Sequence, residues 1–197
     1  MKLSLSVLSG LAALGLSAQA ATITVTNVNG TTPAPLVNSA LSGGGLVDSG
    51  VFAIGTFSSD PAGVGADGIG AIFQQFGDAF GTTVAPGIYQ NSVTSTVGGS
   101  SFADAKVYTV VGNGSTIADS SALAVWDHAF NFKSEPDATD NAILGGSGAA
   151  VLGNTVSADL GGGAVFDGLQ LVDKIPEPSS ALLGLLGLSF LAFRRRK

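Results

Sequence analysis

"AKVYTVVGNGSTIADSSALAVWDHAFNF", from Ala105 to Phe132, sets the fold class. Its first seven residues are rich in β-branched and aromatic side chains, and a Gly/Asn/Ser/Asp-rich interval follows them. A second apolar run then spans Leu123 to Phe130. Two such runs separated by turn chemistry read as a pair of strands, the second of them buried. Tyr108 and Trp126 are expected to fill one common core.

The flanks repeat this grammar. "TITVTNV", Thr22 to Val28, alternates β-branched and polar residues, and Asn29-Gly30 closes it as a turn. "TTPAPL" is a proline-punctuated connection. "LVDSGVFAIGTF", Leu46 to Phe57, is a further strand in which Gly50 and Gly55 mark bulges or a close approach of backbone. "GIYQNSVTSTV" carries a weaker strand signal, "EPDATDN" (Glu135 to Asn141) reads as a polar loop, and "AAVLGNTVSADLGGGAVFDGLQLVD" reads as a final hairpin bent at Asn154 or at Gly161 to Gly163.

Only "DGIGAIFQQFGDAF" has helical spacing. Ile69, Ile72, Phe73, Phe76 and Phe80 recur at one helix face, and Asp67 is placed to cap its start. The expected architecture is mostly β: a single sandwich or jelly-roll-like domain with one short amphipathic helix laid over a sheet.

Composition narrows the chemistry. Between Ala21 and Ile175 only Lys106, Lys133 and Lys174 oppose thirteen carboxylates, so this stretch carries a charge of −10. Such a surface repels phosphate backbones, which argues against a nucleic-acid partner. Cysteine is absent, which removes disulfides, thiolate catalysis and thiol metal sites together. One histidine, His128, without cysteine cannot build an ordinary zinc site.

Candidate constellations are sparse. "GVGADG", Gly63 to Gly68, fits the dinucleotide-binding glycine pattern, but no repeated βαβ units follow it. "AGVGADGIG", Ala62 to Gly70, nearly matches a calcium-binding nonapeptide with Gly63, Gly65 and Asp67 in register; that site depends on stacked copies, and one copy reads better as a loop. Glu135, Asp137 and Asp140 lie close together without EF-hand spacing. Calcium is therefore the one cofactor the sequence leaves open. Asp127-His128 is the only carboxylate–imidazole neighbour pair, yet adjacent strand residues point to opposite faces and no G-x-S-x-G elbow supplies a nucleophile. A solvent-facing histidine is the expectation. No catalytic residue and no metal ligand is assigned.

The two ends concern delivery. Lys2, an apolar stretch from Leu3 to Leu16, and the small-residue step Ala18-Gln19-Ala20 form a secretory signal pattern with cleavage expected after Ala20. At the other end Pro176-Glu177-Pro178 precedes an uncharged run, Ala181 to Phe193, and the basic cluster Arg194, Arg195, Arg196 and Lys197. As helix, Pro176 to Phe193 would reach about 27 Å, just enough to span a bilayer, with the basic cluster held on the cytoplasmic side. The expected division is a signal peptide at 1–20, an exported domain at 21–175 and a sorting segment at 176–197.

The closing "PEPSSALLGLLGLSFLAFRRRK" resembles the PEP-CTERM sorting signal of exported proteins from Gram-negative and related bacteria. The resemblance implies recognition by an exosortase, a membrane transpeptidase that cuts near the Pro-Glu-Pro step and passes the protein to the outer surface or to extracellular polysaccharide. It implies export machinery and a transient inner-membrane anchor as further partners. "FAIGTF" and "VYTVVGNGSTIADSSALAVW" are similar to segments of other short proteins with this tail, in which a β domain forms the exported part. The leading expectation is a non-enzymatic cell-surface or matrix protein. The alternatives are a carbohydrate-binding module using Trp126, Tyr89 or Tyr108 as a stacking platform, and a glycan hydrolase using paired aspartates.

Overall fold

The computed structural model describes residues 20–175, apart from 82–83, 98–100 and 136–137. In chain order the elements are β1 (Ala20–Thr26), β2 (Val28–Asn29), β3 (Thr32–Pro33), β4 (Leu36–Val37), β5 (Val51–Phe57), α1 (Ala66–Ile72), β6 (Phe73–Gln75), β7 (Gln90–Thr96), β8 (Lys106–Gly112), β9 (Ala122–Asn131), β10 (Ala138–Ile143), β11 (Ala149–Leu152), β12 (Asn154–Asp159), β13 (Val165–Gln170) and β14 (Val172–Asp173). The fold is mostly β with one short helix, as the strand patterning requires.

The largest sheet has the order β11-β9-β8-β5-β6, with β14 also pairing with β9. Its central strands are buried on both faces. Phe52, Ile54, Val107, Val111, Ala122 and Ala124 point one way and pack with Ile23, Val25, Val93 and Ala142 of a second sheet, ordered β10-β1-β7. Tyr108, Val110, Leu123 and Val125 point the other way and pack under Ala66 and Ile69 of α1. Two-sided burial explains why the β8 and β9 sequences are apolar runs rather than strict alternations. It also separates Trp126 from Tyr108. One common core is the sequence expectation, but Trp126 lies opposite Thr109 and Tyr108 opposite Asp127, so the two rings fall on different faces of the sheet.

The two packed sheets are consistent with a β-sandwich. Two pairings, β1 with β10 and β13 with β4, are parallel, whereas a jelly roll is antiparallel throughout. In β1, Ala21, Ile23 and Val25 face inward while Thr22 and Thr24 face out. The outward hydroxyls bond across the ladder to Thr94 and Ser92, each at 2.8 Å. A third sheet, β12-β13-β4, contains the expected final hairpin, whose bend at Gly161, Gly162 and Gly163 holds all three in positive φ.

Gly50 and Gly55 are close-approach positions, as anticipated. A Cβ on Gly55 would lie 2.0 Å from the Gln74 carbonyl, and one on Gly50 would lie 2.2 Å from that of Gly112. Neither position could bear a side chain without the neighbouring backbone moving away.

Three expectations require correction. The helix does not run from Asp67 to Phe80; it ends at Ile72, and Phe73–Gln75 pairs with the edge of β5. Gly68, Gly70 and Gly77 weaken the helix, while the β5 edge offers main-chain partners. Phe76 and Phe80 are then carried inward by main-chain bonds to Ile54 and Phe52 rather than by a helix face. Asp67 is not the N-cap either: Gly65 occupies that position, without a side-chain cap. Finally, the supposed polar loop becomes strand from Ala138, because its inward Ala142 suits the parallel ladder beside β1.

One buried polar residue ties the loops to this frame. Asn27, fully buried just after β1, donates from Nδ2 to the carbonyls of Ala34 (2.9 Å) and Gly87 (2.6 Å), and its Oδ1 accepts from the Tyr89 amide at 3.0 Å. Truncation would leave the Tyr89 amide and the Ala34 carbonyl without this partner, while the Gly87 carbonyl would keep only the Leu36 amide. Asn27→Ala is expected to lower stability by about 3 kcal/mol or more. Thr22→Ala, on the outer face of the same strand, should cost about 0.5 kcal/mol. Urea unfolding of both variants against wild type checks the difference.

Candidate functional site

Trp126 stands near the middle of β9, between Thr109 of β8 and Ala150 of β11. It is half-buried, packed at one side against the main core, and it lines the wall of a cleft of about 460 Å³. The β2–β3 hairpin supplies Asn29 and Thr32 to that cleft, and the β12–β13 hairpin supplies Thr155 and Asp167. The volume falls in the range of small-ligand sites. An indole among two hydroxyls, an amide and one carboxylate combines an apolar platform with donors and acceptors for hydroxyl groups.

The other two candidate platforms are spent on packing. Tyr89 is fully buried, with its ring stacked on Phe52 at 3.5 Å between centroids, and burial raises its phenol well above the ordinary value. Tyr108 is 7% exposed and meets Phe57 edge-on at 4.9 Å. Of the three aromatics, Trp126 alone lines the cleft.

Asp127 and His128 diverge as strand geometry demands. Asp127 accepts from Lys106 Nζ at 3.0 Å, and its other oxygen accepts from the Ala129 amide at 2.8 Å. That second bond steadies Ala129 at φ 58°, which interrupts the regular course of β9. His128, expected to face solvent, is instead 2% exposed. It shares the inward face with Ala122, Ala124 and Trp126, so the same parity that directs Asp127 outward buries the imidazole. Its Nε2 bonds to Thr109 Oγ1 at 2.7 Å, whereas Nδ1 is buried without a partner. Burial drives the imidazole down to about 4, against the opposing pull of the Asp127 charge.

The Ala62 to Gly70 stretch forms a turn with Gly63 at φ 81° and then enters α1. Asp67 accepts from the main-chain N–H of Ile175 at 3.1 Å. Asp140 is bound by Lys133 at 2.7 Å, and Asp137 lies outside the described residues. Among the described residues no group of three His, Asp or Glu side chains gathers as a metal cage.

The end of the domain leads directly into the basic-ended tail, and a model of the PEP-CTERM protein-sorting motif matches residues 174–197. The chain carries a PEP-CTERM sorting signal. This motif implies export, processing by an exosortase and transient anchoring in a membrane. No curated protein and no solved structure matches the chain. Within the sorting signal, Pro176, Glu177, Pro178, Arg194, Arg195, Arg196 and Lys197 lie outside the described residues, as does Ala18 of the expected cleavage step. Ala20 is the first residue of β1. Among the described residues no helix is long and apolar enough to cross a membrane.

What sequence reasoning missed here is the assembly of the cleft. Asn29, Thr32, Thr155 and Asp167 come from separate hairpins, and nothing in their local pattern joins them to Trp126. The folded-state depression of His128 has a measurable consequence. Above pH 6.5 the imidazole is neutral whether the chain is folded or unfolded. Between 6.5 and about 4 only the unfolded chain takes up the proton, so stability is present at neutral pH and is lost as pH falls through that window. The difference amounts to about 3 kcal/mol. His128→Gln, which cannot titrate, should lack this component; unfolding free energies of both proteins at pH 7 and pH 4.5 test it.

Proposed function

We propose that the exported domain is a non-catalytic surface protein that binds extracellular polysaccharide in the Trp126 cleft, after delivery by its sorting signal. One observation carries the reading: a half-buried indole in a cleft of ligand size whose remaining polar lining is hydroxyl, amide and a single carboxylate. A sugar ring presents C–H groups to an aromatic face and hydroxyls at its rim. Trp126 would take the first, with Asn29, Thr32, Thr155 and Asp167 available for the second.

Charge selects among polymers. A domain at −10 disfavours dense polyanions, so the expected ligand is neutral or cationic. The hydrolase alternative is less well supported, because glycoside hydrolysis commonly employs two carboxyl groups roughly 5 to 10 Å apart. Asp167 is the only carboxylate lining this cleft among the described residues.

Trp126→Ala should weaken retention on neutral polysaccharide at least about tenfold, while Tyr108→Phe, altered on the opposite face of the sheet, should leave it unchanged. Affinity electrophoresis in polysaccharide gels measures both. Equal retention of the Trp126 variant would remove the cleft from the reading. Delivery is tested separately: a chain truncated after Ile175 should appear in the medium rather than with cells, as seen by fractionation and immunoblot.

A further inference from the structure

The sorting signal and the folded domain overlap. The motif match begins at Lys174, yet Lys174 and Ile175 are hydrogen-bonded into the domain. Immediately upstream, β14 pairs Val172 and Asp173 with Leu123 and Ala122 of β9. Asp173 also accepts a hydrogen bond from the Ser39 hydroxyl. The Lys174 amide donates to the Ser121 carbonyl at 2.8 Å, and its ammonium donates to the carbonyls of Ile117 (2.6 Å) and Ala118 (3.1 Å). Last in the series, the Ile175 amide donates to Asp67 at the start of α1. The Ile175 side chain is 74% exposed, so the final contact is made by the main chain rather than by burial.

We propose that Asp67 and Lys174 form a clasp that holds the last residues before Pro176 in the domain and limits the rate at which exosortase gains access to the sorting signal. Asp67 is a positioning residue for processing, acting through the Ile175 main chain. Proline lacks an N–H, so Ile175 provides the last main-chain donor before Pro176. Pro176 also restricts Ile175 to extended backbone. A chain held at Ile175 and stiffened by the next residue has little torsional slack. An enzyme that binds an extended substrate on both sides of its cleavage point must take up residues before Pro176, each covering about 3.3 Å of its cleft. While the clasp is closed those residues belong to the domain. It must open before they can be engaged.

This inference rests on processing of the sorting signal and is independent of what the Trp126 cleft binds. Asp67 suits a test because it lies far outside the motif, so changing it leaves the recognised sequence intact. Full-length variants are expressed in a host that contains the cognate exosortase, and the ratio of processed to unprocessed chain is followed by pulse–chase. Asp67→Ala is expected to accelerate processing about fivefold, the loss of one charge-assisted hydrogen bond expressed as an opening equilibrium. Asp67→Asn, which keeps an acceptor oxygen, should stay near the wild-type rate. Six Gly/Ser residues inserted between Ile175 and Pro176 should also accelerate processing, and Asp67→Ala should add nothing to that insertion. Hydrogen exchange at the Ile175 amide should quicken in Asp67→Ala while the Val111 amide, in the core, stays protected. Should Asp67→Ala fail to accumulate, Asp67→Leu takes its place, since this exposed position then keeps a good helix former, loses the acceptor and leaves the recognised sequence intact. Processing at or below the wild-type rate with a freed Ile175 amide, or acceleration that adds to that of the linker, would overturn the proposal.

Discussion

The structure depends on the burial of β8 and β9 from both sides. A strand with one wet face can alternate apolar and polar residues; a strand covered on both faces cannot. Val107 to Val111 and Ala122 to Val125 meet the second condition, with the β10-β1-β7 sheet over one face and α1 over the other. Because the chain contains no cysteine, this packing does the work that disulfides perform in many exported domains. The few polar groups inside are accordingly well partnered: Asn27 satisfies three main-chain groups, and Thr109 meets His128. The exceptions among the described residues are Tyr89 Oη, Trp126 Nε1 and His128 Nδ1, each buried without a hydrogen-bond partner.

Legibility in the sequence followed the range of the forces involved. β1, β5, β8 and β9 were readable because β-branched composition and turn residues act locally. Gly50 and Gly55 were readable because a glycine inside an apolar strand has few local explanations besides a bulge or a neighbouring backbone. The length of α1 was not, since the phenylalanine spacing favours a helix and only the free edge of β5, distant in sequence, draws Phe73–Gln75 into a strand. β10 was hidden for the same reason. "ATDNAI" has weak strand character, and only the ladder along β1 makes it a strand. The burial of His128 was not legible because a lone polar residue in an apolar run does not show which face it takes, and its environment is set by the parity it shares with Ala124 and Trp126.

The candidate site lay beyond sequence for a further reason. Its platform was visible as one of three aromatics, but choosing among them required knowing which rings the core consumes. Tyr89 and Tyr108 are held by Phe52 and Phe57, and that choice depends on register between strands distant in sequence. The polar lining is more remote still, because Asn29 and Asp167 meet only where the β2–β3 hairpin comes beside β13. The sorting motif at residues 174–197 was legible. Its recognition is written in a short contiguous segment, as a signal read by a membrane enzyme must be.

The junction between domain and signal connects these two kinds of information. β14 does not lie on a peripheral hairpin; it pairs with Ala122 and Leu123 at the fully buried start of β9. Local opening ordinarily begins at chain ends, where few contacts hold the backbone. Here the last residues before Pro176 are tied to the central sheet through Ala122 and Leu123, to the preceding loop through Lys174, and to α1 through Asp67. Detaching the whole of β14 would expose the edge of β9, whereas releasing Ile175 alone breaks a single exposed hydrogen bond. The end of the domain is thereby held by the sheet at Val172 and Asp173, by three hydrogen bonds at Lys174 and by one exposed hydrogen bond at Ile175. An enzyme drawing on the tail meets the weakest tie first, and the core strand is loaded only if it pulls further.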